Sequence, residues 1–275
     1  MKPIINNSTN LMINKIIKNF PQSLLITGEK GVGLSTIANY ICESLDSKPF
    51  ILLPEKNEMI DFEKGVISVD GIRHITELCK SKITNKRIII IDYGEKMTIQ
   101  AQNAFLKLLE EPNENTHFII VSCSINKLLP TILSRTEKIN IKPITYDQSN
   151  KLLDSLGVTE KIKRSQLLFI AEGKPAELTR LSKEESYFQL RSNIIKDARE
   201  LLGSNTYNKL LLAQKYNEDR NSALSLINDA CKILKISIIN NPHPQLLKIV
   251  DSLVYTYKQI EANGNIRLCI ARISI

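Results

Sequence analysis

The chain is poor in the residues that build metal centres and covalent staples. Its five cysteines, Cys42, Cys79, Cys123, Cys231 and Cys269, are odd in number, scattered, and never at C-x-x-C spacing. Metal ligation needs soft donors a few residues apart, so no zinc or other metal site is expected, and the thiols read as free and mostly buried in a reducing compartment. The three histidines, His74, His117 and His243, are isolated and read as structural or exposed. No uninterrupted apolar run approaches the length that crosses a bilayer. Met1 to Asn10 is polar and Asn-rich, with no apolar leader and no small-residue cleavage site, so a cytoplasmic chain without a membrane partner is expected. Internal repeats and low-complexity tracts are also missing.

What is present is ordinary for a core-forming protein: 275 residues, 43% of them hydrophobic, enough for two or three compact units. The net charge of +8 permits contact with nucleic acid, but the basic residues are dispersed and the chain is rich in Lys, Ile and Asn throughout. Compositional bias is the plainer reading of the charge, and direct DNA binding by this chain alone is the lesser one.

The first half alternates strand and helix. Strands are expected at Ser23 to Thr27, Phe50 to Pro54, Arg87 to Asp92, His117 to Ser122 and Glu137 to Ile141, the third and fourth being continuous apolar runs suited to the centre of a sheet. Helices are expected at Ser35 to Leu45, Val69 to Lys82 and Thr98 to Glu111, the last stopped by Pro112 and burying Ala101, Ala104, Phe105 and Leu108, with a short one within Asn126 to Arg135. Such alternation implies parallel pairing with right-handed crossovers. Beyond Pro143 only helical patterns survive. Three short helices, at 146–156, 160–172 and 175–181, precede four or five longer ones from Tyr187 onward, with breaks near Gly203, Asn240-Asn241-Pro242 and Gly264. The expected division is an α/β domain over 1–143, a helical lid over 144–185 and a helical end domain over 186–275.

Three stretches carry chemistry. Gly28 to Thr36 reads G-E-K-G-V-G-L-S-T, a phosphate-binding loop between strand and helix. Gly28, Gly31 and Gly33 supply its turns, and the hydroxyls of Ser35 and Thr36 stand where Mg²⁺ would be held. Leu34 occupies the place of the lysine that reaches the β- and γ-phosphates, while Lys30 lies on the outer arc, pointing to solvent. The helix N-terminus and backbone amides do not need the lysine, so the loop leaves weak ATP or ADP binding open, about ten- to a hundredfold weaker for the lost charge-assisted bond, and no cofactor is required. Asp92, at the end of its strand, fits the Mg²⁺-holding carboxylate of nucleoside triphosphatases. Tyr93 follows where a carboxylate would polarise water, and a phenol is a poor base at neutral pH. Two parts of one hydrolytic site are thus missing, and no ATPase activity is expected.

The third stretch is A-Q-N-A-F-L-K-L-L-E-E-P at 101–112 with L-L-P-T-I-L-S-R-T at 128–136. With the loop, these resemble the clamp-loader branch of the AAA+ ATPases, and within it the delta-prime subunits of bacterial DNA polymerase III. The resemblance extends more loosely to A-E-G-K-P-A-E-L at 171–178 and to N-G-N-I-R-L-C-I-A-R at 263–272, which looks like the closing helix of a collar. It implies an AAA+ α/β domain, a helical lid and an all-α collar. It also implies that Ser134-Arg135 match the Ser-Arg-Cys motif, with Thr136 in place of cysteine. Arg135 would then reach a neighbouring subunit's ATP in trans, the role of a permanently charged planar guanidinium in phosphoryl transfer. The implied partners are gamma/tau and delta subunits in a hetero-pentamer, with the sliding clamp and primer-template DNA met through the complex. Ala176 stands about where ATPase members carry an arginine sensing their own nucleotide. The short, cysteine-free stretch Asp46 to Glu58 leaves no room for the zinc module of many relatives. Ser122 and Ser124 fall near a strand-end polar position and receive no role.

The alternatives are a working ATPase of the gamma/tau type, opposed by Leu34 and Tyr93; a small-molecule phosphotransferase, which leaves residues 98–136 unexplained; and a stand-alone DNA-binding module.

Overall fold

The computed structural model describes residues 3–81, 86–113, 115–203 and 205–273. They divide into one unit running to Lys183 and a second from Glu184.

In the first unit, β1 (Ser23–Gly28), β2 (Phe50–Leu52), β5 (Arg87–Ile91), β6 (Thr116–Ser122) and β7 (Glu137–Ile141) form a five-stranded sheet in the order β2-β5-β6-β1-β7. All its pairings are parallel, as the alternating pattern implied. The register Ile26↔Val121 and Ile26↔Ile139 leaves β1 flanked by β6 and β7, where the connections turn to opposite sides of the sheet. In open α/β sheets, crevices form outside the carboxyl ends of strands at such a switch point. The apolar strands Arg87–Ile91 and Thr116–Ser122 take inner places because both of their faces are covered.

On one face pack α1 (Asn7–Lys18) and α2 (Leu34–Ser44), whose Ile13, Ile16, Ile37, Ala38 and Ile41 meet Leu24, Ile26, Ile88 and Ile119. On the other lie α3 (Val69–Lys80) and α4 (Ile99–Glu110), with Ile72, Ile75, Ala101 and Phe105 against Leu25, Ile89, Phe118 and Ile120. The stripe of α4 keeps Ala101 and Phe105 from the expected set but not Ala104 and Leu108. Leu109 is buried and Leu108 and Ala104 only half-buried, because the contact follows the i, i+4, i+8 row of Ala101, Phe105 and Leu109.

A two-stranded hairpin, β3 (Glu55–Lys56) with β4 (Met59–Ile60), was not foreseen. The short helix expected within 126–135 is a 3₁₀ turn at Ile125–Lys127 followed by the single turn α5 (Pro130–Leu133). Helix α3 ends at Lys80, short of the expected Lys82, because Ser81 turns to an extended backbone as its C-cap; residue 82 lies outside the described residues. Three further helices close the unit: α6 (Tyr146–Ser155), α7 (Lys161–Ala171) and α8 (Pro175–Lys183). Thr145 and Gln148 cap α6 reciprocally, and Gly157 and Gly173 end α6 and α7.

The second unit is all-helical: α9 (Glu185–Gly203), α10 (Thr206–Lys215), α11 (Arg220–Asn240), α12 (Pro244–Glu261) and α13 (Ile266–Arg272). Ile194, Ala198, Leu226, Ile227, Leu253 and Ile270 are part of its core. A nearly buried ion cluster lies among them, with Asp229 3.0 Å from Arg191 and 3.1 Å from Lys232. Asp219 caps α11 by accepting from Asn221 and Ser222 amides, and Arg220 donates to the Ile260 carbonyl, tying α11 to the end of α12.

Of the five free thiols only Cys42 and Cys79 are buried; Cys231 and Cys269 are half-buried and Cys123 is exposed. The expectation of mostly buried thiols is corrected there: Cys123 follows β6, beyond the cover of the sheet. Among the described residues no helix is long and apolar enough to cross a membrane.

Candidate functional site: a phosphate loop and an exposed arginine

Strand β1 runs into the glycine loop at the switch point, and Asp92 and Ser122 reach the same carboxyl edge from β5 and β6. Gly28 has no room for a side chain, since a Cβ there would stand 2.7 Å from the Ile141 carbonyl oxygen of the neighbouring strand. Gly33, at φ +88°, is the N-cap of α2 and holds the left-handed turn that aims the helix start into the crevice. It offers no side-chain cap to the first-turn amides, which leaves a positive helix end facing the loop.

Leu34 points inward rather than across the loop. It is 9% exposed, belongs to the core that covers Gly28, and packs its Cδ2 3.2 Å from the position of a Gly28 Cβ. The residue in the lysine place is therefore core. Ser35 is half-buried, Thr36 exposed, and Lys30 exposed on the outer arc as expected.

The Ser35 side chain is near enough to the Asp92 carboxylate to favour its charged form, so the two groups that would share a cation are neighbours. Burial pushes Asp92 above the usual carboxylate range, opposed by that side chain and by the Tyr93 amide, which donates to Oδ1 at 3.0 Å. Tyr93 takes a left-handed backbone, φ 58°, and tilts its ring against Phe62 at 5.3 Å. Its phenol is pushed upward by burial and then by the charges of Asp92 and Glu95, so it stays protonated at neutral pH and even less phenolate is available than from a free tyrosine. Glu95 does not substitute as a base poised on the loop. The Cys123 amide donates to it at 3.2 Å and the Cys123 thiol at 3.0 Å.

The loop is also tied down by the helices that follow the sheet. The Gly31 carbonyl accepts from the amides of Ala176 (3.0 Å) and Glu177 (3.2 Å) in the first turn of α8. Lys174 reaches Glu29 at 2.8 Å. Ala176 thus meets the loop through its backbone and carries no cation toward it. As a phosphate site the crevice fits in its glycine turns, helix end and hydroxyls, and misfits in its missing ammonium.

Arg135 lies on the surface just beyond α5, whose C-cap is Ser134. Its Nη1 donates to the Thr131 carbonyl (3.1 Å) and lies 3.4 Å from the Ser134 hydroxyl, and its Nη2 is 2.8 Å from Glu110 Oε1 at the end of α4. Thr136 is half-buried, with its hydroxyl donating to the Ile132 carbonyl. The α4–α5 junction is held by buried Gln102, whose amide donates to the Met97 and Lys127 carbonyls and whose Oε1 accepts from the Leu129 amide at 2.7 Å.

The structure therefore gathers Gly28, Gly31, Gly33, Ser35, Thr36 and Asp92 at the loop, while Ser134 and Arg135 form a separate surface point. Sequence reasoning missed Glu110, Gln102, Lys174 and Glu95. Each lies remote in the chain from its partner; Gln102, Glu110 and Lys174 fell within motifs already singled out, but nothing in those motifs names the groups they meet.

Comparison with known proteins agrees with this geometry. A family model described as "DNA polymerase III, delta subunit" matches residues 6–145. The chain is 30% identical over 185 residues to the DNA polymerase III subunit gamma/tau of Mycoplasma genitalium, covering 59% of this chain and 30% of that protein. It is 30% identical over 113 residues to the DNA polymerase III subunit delta' of Bacillus subtilis, covering 41% of this chain and 34% of that protein. The chain thus spans about a third of the length of these curated relatives. Its fold is similar to that of a solved DNA polymerase III gamma subunit-related protein from Thermotoga maritima, with TM-score 0.55, 21% identity, and 98% and 97% of the two chains covered. A matched loop, sheet edge and α4–α5 segment, all within 6–145, make this chain a member of the DNA polymerase III delta subunit family of clamp-loader AAA+ proteins.

Proposed function

We propose that the chain is a delta-prime-type clamp-loader subunit that does not hydrolyse ATP itself and lends Arg135 to the ATP of a neighbouring gamma/tau-type subunit. Burial of Leu34 at the lysine place carries this reading: the loop has exchanged its phosphate-binding cation for core packing. Tyr93 in place of the water-polarising carboxylate supports it, and so does a permanently charged Arg135 at the surface. In this reading ATP or ADP binds the relic loop weakly, through Gly28, Gly31, Gly33, Ser35 and Thr36 with Asp92 beside them, and nucleotide is not required. The partners are gamma/tau and delta subunits in a five-membered ring held by the helical end domains. The ring loads the sliding clamp on primed DNA during replication, and no polymerisation occurs on this chain. The proposed domains are 1–143, 144–185 and 186–275.

The test is reconstitution with a gamma/tau-type ATPase, a delta subunit, clamp and primer-template. Arg135→Ala should assemble normally and lose most of the stimulated ATP turnover, since a trans arginine is worth about 10³–10⁵ in rate at the site it serves. Full stimulation by the variant would remove the assignment. A second reading, a working gamma/tau-type ATPase, is favoured by the 30% identity to a gamma/tau subunit over 185 residues. Unaided ATP turnover by the purified chain would establish it instead.

A further inference from the structure

We propose that Glu110 is a positioning residue that parks the Arg135 guanidinium on its own subunit and must release it before Arg135 can engage a neighbour's phosphate. The proposal rests on the reading of Arg135 as a trans-acting arginine.

Both terminal nitrogens of Arg135 are turned inward. Nη2 meets Glu110 Oε1 at 2.8 Å, and Nη1 meets the Thr131 carbonyl at 3.1 Å. A guanidinium recognises phosphate best through paired terminal N–H groups, so the parked and engaged states compete for the same donors. The competition is reversible because both partners reach solvent, with 38% of the Arg135 side chain and 49% of the Glu110 side chain exposed. The carboxylate does not lie there by chance of a long flexible arm alone. Glu110 is the last residue of α4, and Gln102 on the same helix clamps the segment entering α5. That clamp fixes the end of α4 beside the single turn that carries Arg135. A phosphate brings more negative charge than one carboxylate and displaces it; an empty neighbouring site does not. Glu110 thereby keeps an exposed cation neutralised until a triphosphate is opposite.

Removing the carboxylate should make the exchange easier by the worth of one partly exposed ion pair, about two- to fivefold. The measurement is steady-state ATP turnover by the reconstituted ring with clamp and primer-template, comparing native chain, Glu110→Gln, Glu110→Asp, Arg135→Ala and the double variant E110Q/R135A. Glu110→Gln should raise kcat/KM about two- to fivefold, chiefly through a lower KM, while Glu110→Asp keeps the charge and stays near native. In the Arg135→Ala background the Glu110→Gln change should have no effect. Should Arg135→Ala cripple the ring while Glu110→Gln leaves kcat/KM unchanged or lower, the parking role is overturned and the trans arginine stands. An Arg135→Ala ring as active as native overturns both. An equal Glu110→Gln effect in both Arg135 backgrounds assigns the carboxylate to the stability of the α4–α5 junction and overturns parking.

Discussion

Returning the lysine to the loop separates the two defects of the nucleotide site. In Leu34→Lys the apolar side chain that packs against Gly28 is replaced by one whose stem can retain part of that contact and whose ammonium must reach the crevice. Full burial of a leucine is worth about 1.5–3 kcal/mol, and Leu34 is 9% exposed, so the variant should lose about 1–3 kcal/mol of stability without nucleotide. Against this stands one charge-assisted bond to phosphate, about 1.5–3 kcal/mol, which corresponds to roughly ten- to a hundredfold tighter ATP binding. Calorimetric titration with Mg-ATP reads the affinity directly. Thermal unfolding reads it through linkage, because ligand at about 100 times its Kd returns about 2.7 kcal/mol to the folded state. Turnover should remain absent, since Tyr93 still occupies the place of the base and its phenol is pushed upward by burial and by Asp92 and Glu95. Unaided hydrolysis by Leu34→Lys would refute the argument from Tyr93. Unchanged affinity would refute the argument that Leu34 is the missing element, and would point to the contacts of Gly31 with α8 and of Glu29 with Lys174 as the obstacle.

Two further substitutions test the electrostatics of the two units. Asp92 is raised above its unfolded value by burial, so the folded state disfavours its charge, and stability falls as pH rises from below the ordinary carboxylate value through the raised one. Asp92→Asn should therefore unfold at higher temperature than native at neutral pH, with the difference fading in acid; a difference independent of pH would contradict this. In the helical unit, Asp229→Ala leaves Arg191 and Lys232 without the carboxylate that lies 3.0 and 3.1 Å from them, and should cost about 3–5 kcal/mol in urea unfolding. A loss below about 1 kcal/mol would show that Arg191 and Lys232 are held by other groups and that Asp229 is not the anchor of the cluster.

Much of the sheet domain was legible because its signals are local. Ile88 to Ile91 and Phe118 to Val121 are unbroken apolar runs within their strands, the pattern of a strand covered on both faces. Helix α1 was not legible: its buried positions Thr9, Ile13 and Ile16 include a polar residue, and Leu11 and Met12 are exposed, which blurs the stripe. The hairpin at 55–60 escaped for another reason. Its turn holds Asn57 and Glu58 at φ 51° and 62°, and the second of these places would ordinarily announce itself with glycine.

What the sequence determined alone is the chemistry that each position can offer: no ammonium at Leu34, no carboxylate at Tyr93, a permanent cation at Arg135. These follow from residue identity at fixed spacing from glycine turns and strand ends, and spacing along a chain survives folding. Tertiary structure decided what each group meets. Leu34 is core because α2 lies over Gly28, the loop is held because α8 begins beside Gly31, and Arg135 faces Glu110 because Gln102 pins α5 to α4. The last pairing joins residues 25 positions apart through two helices and a strand, so it exists only once the layers have packed.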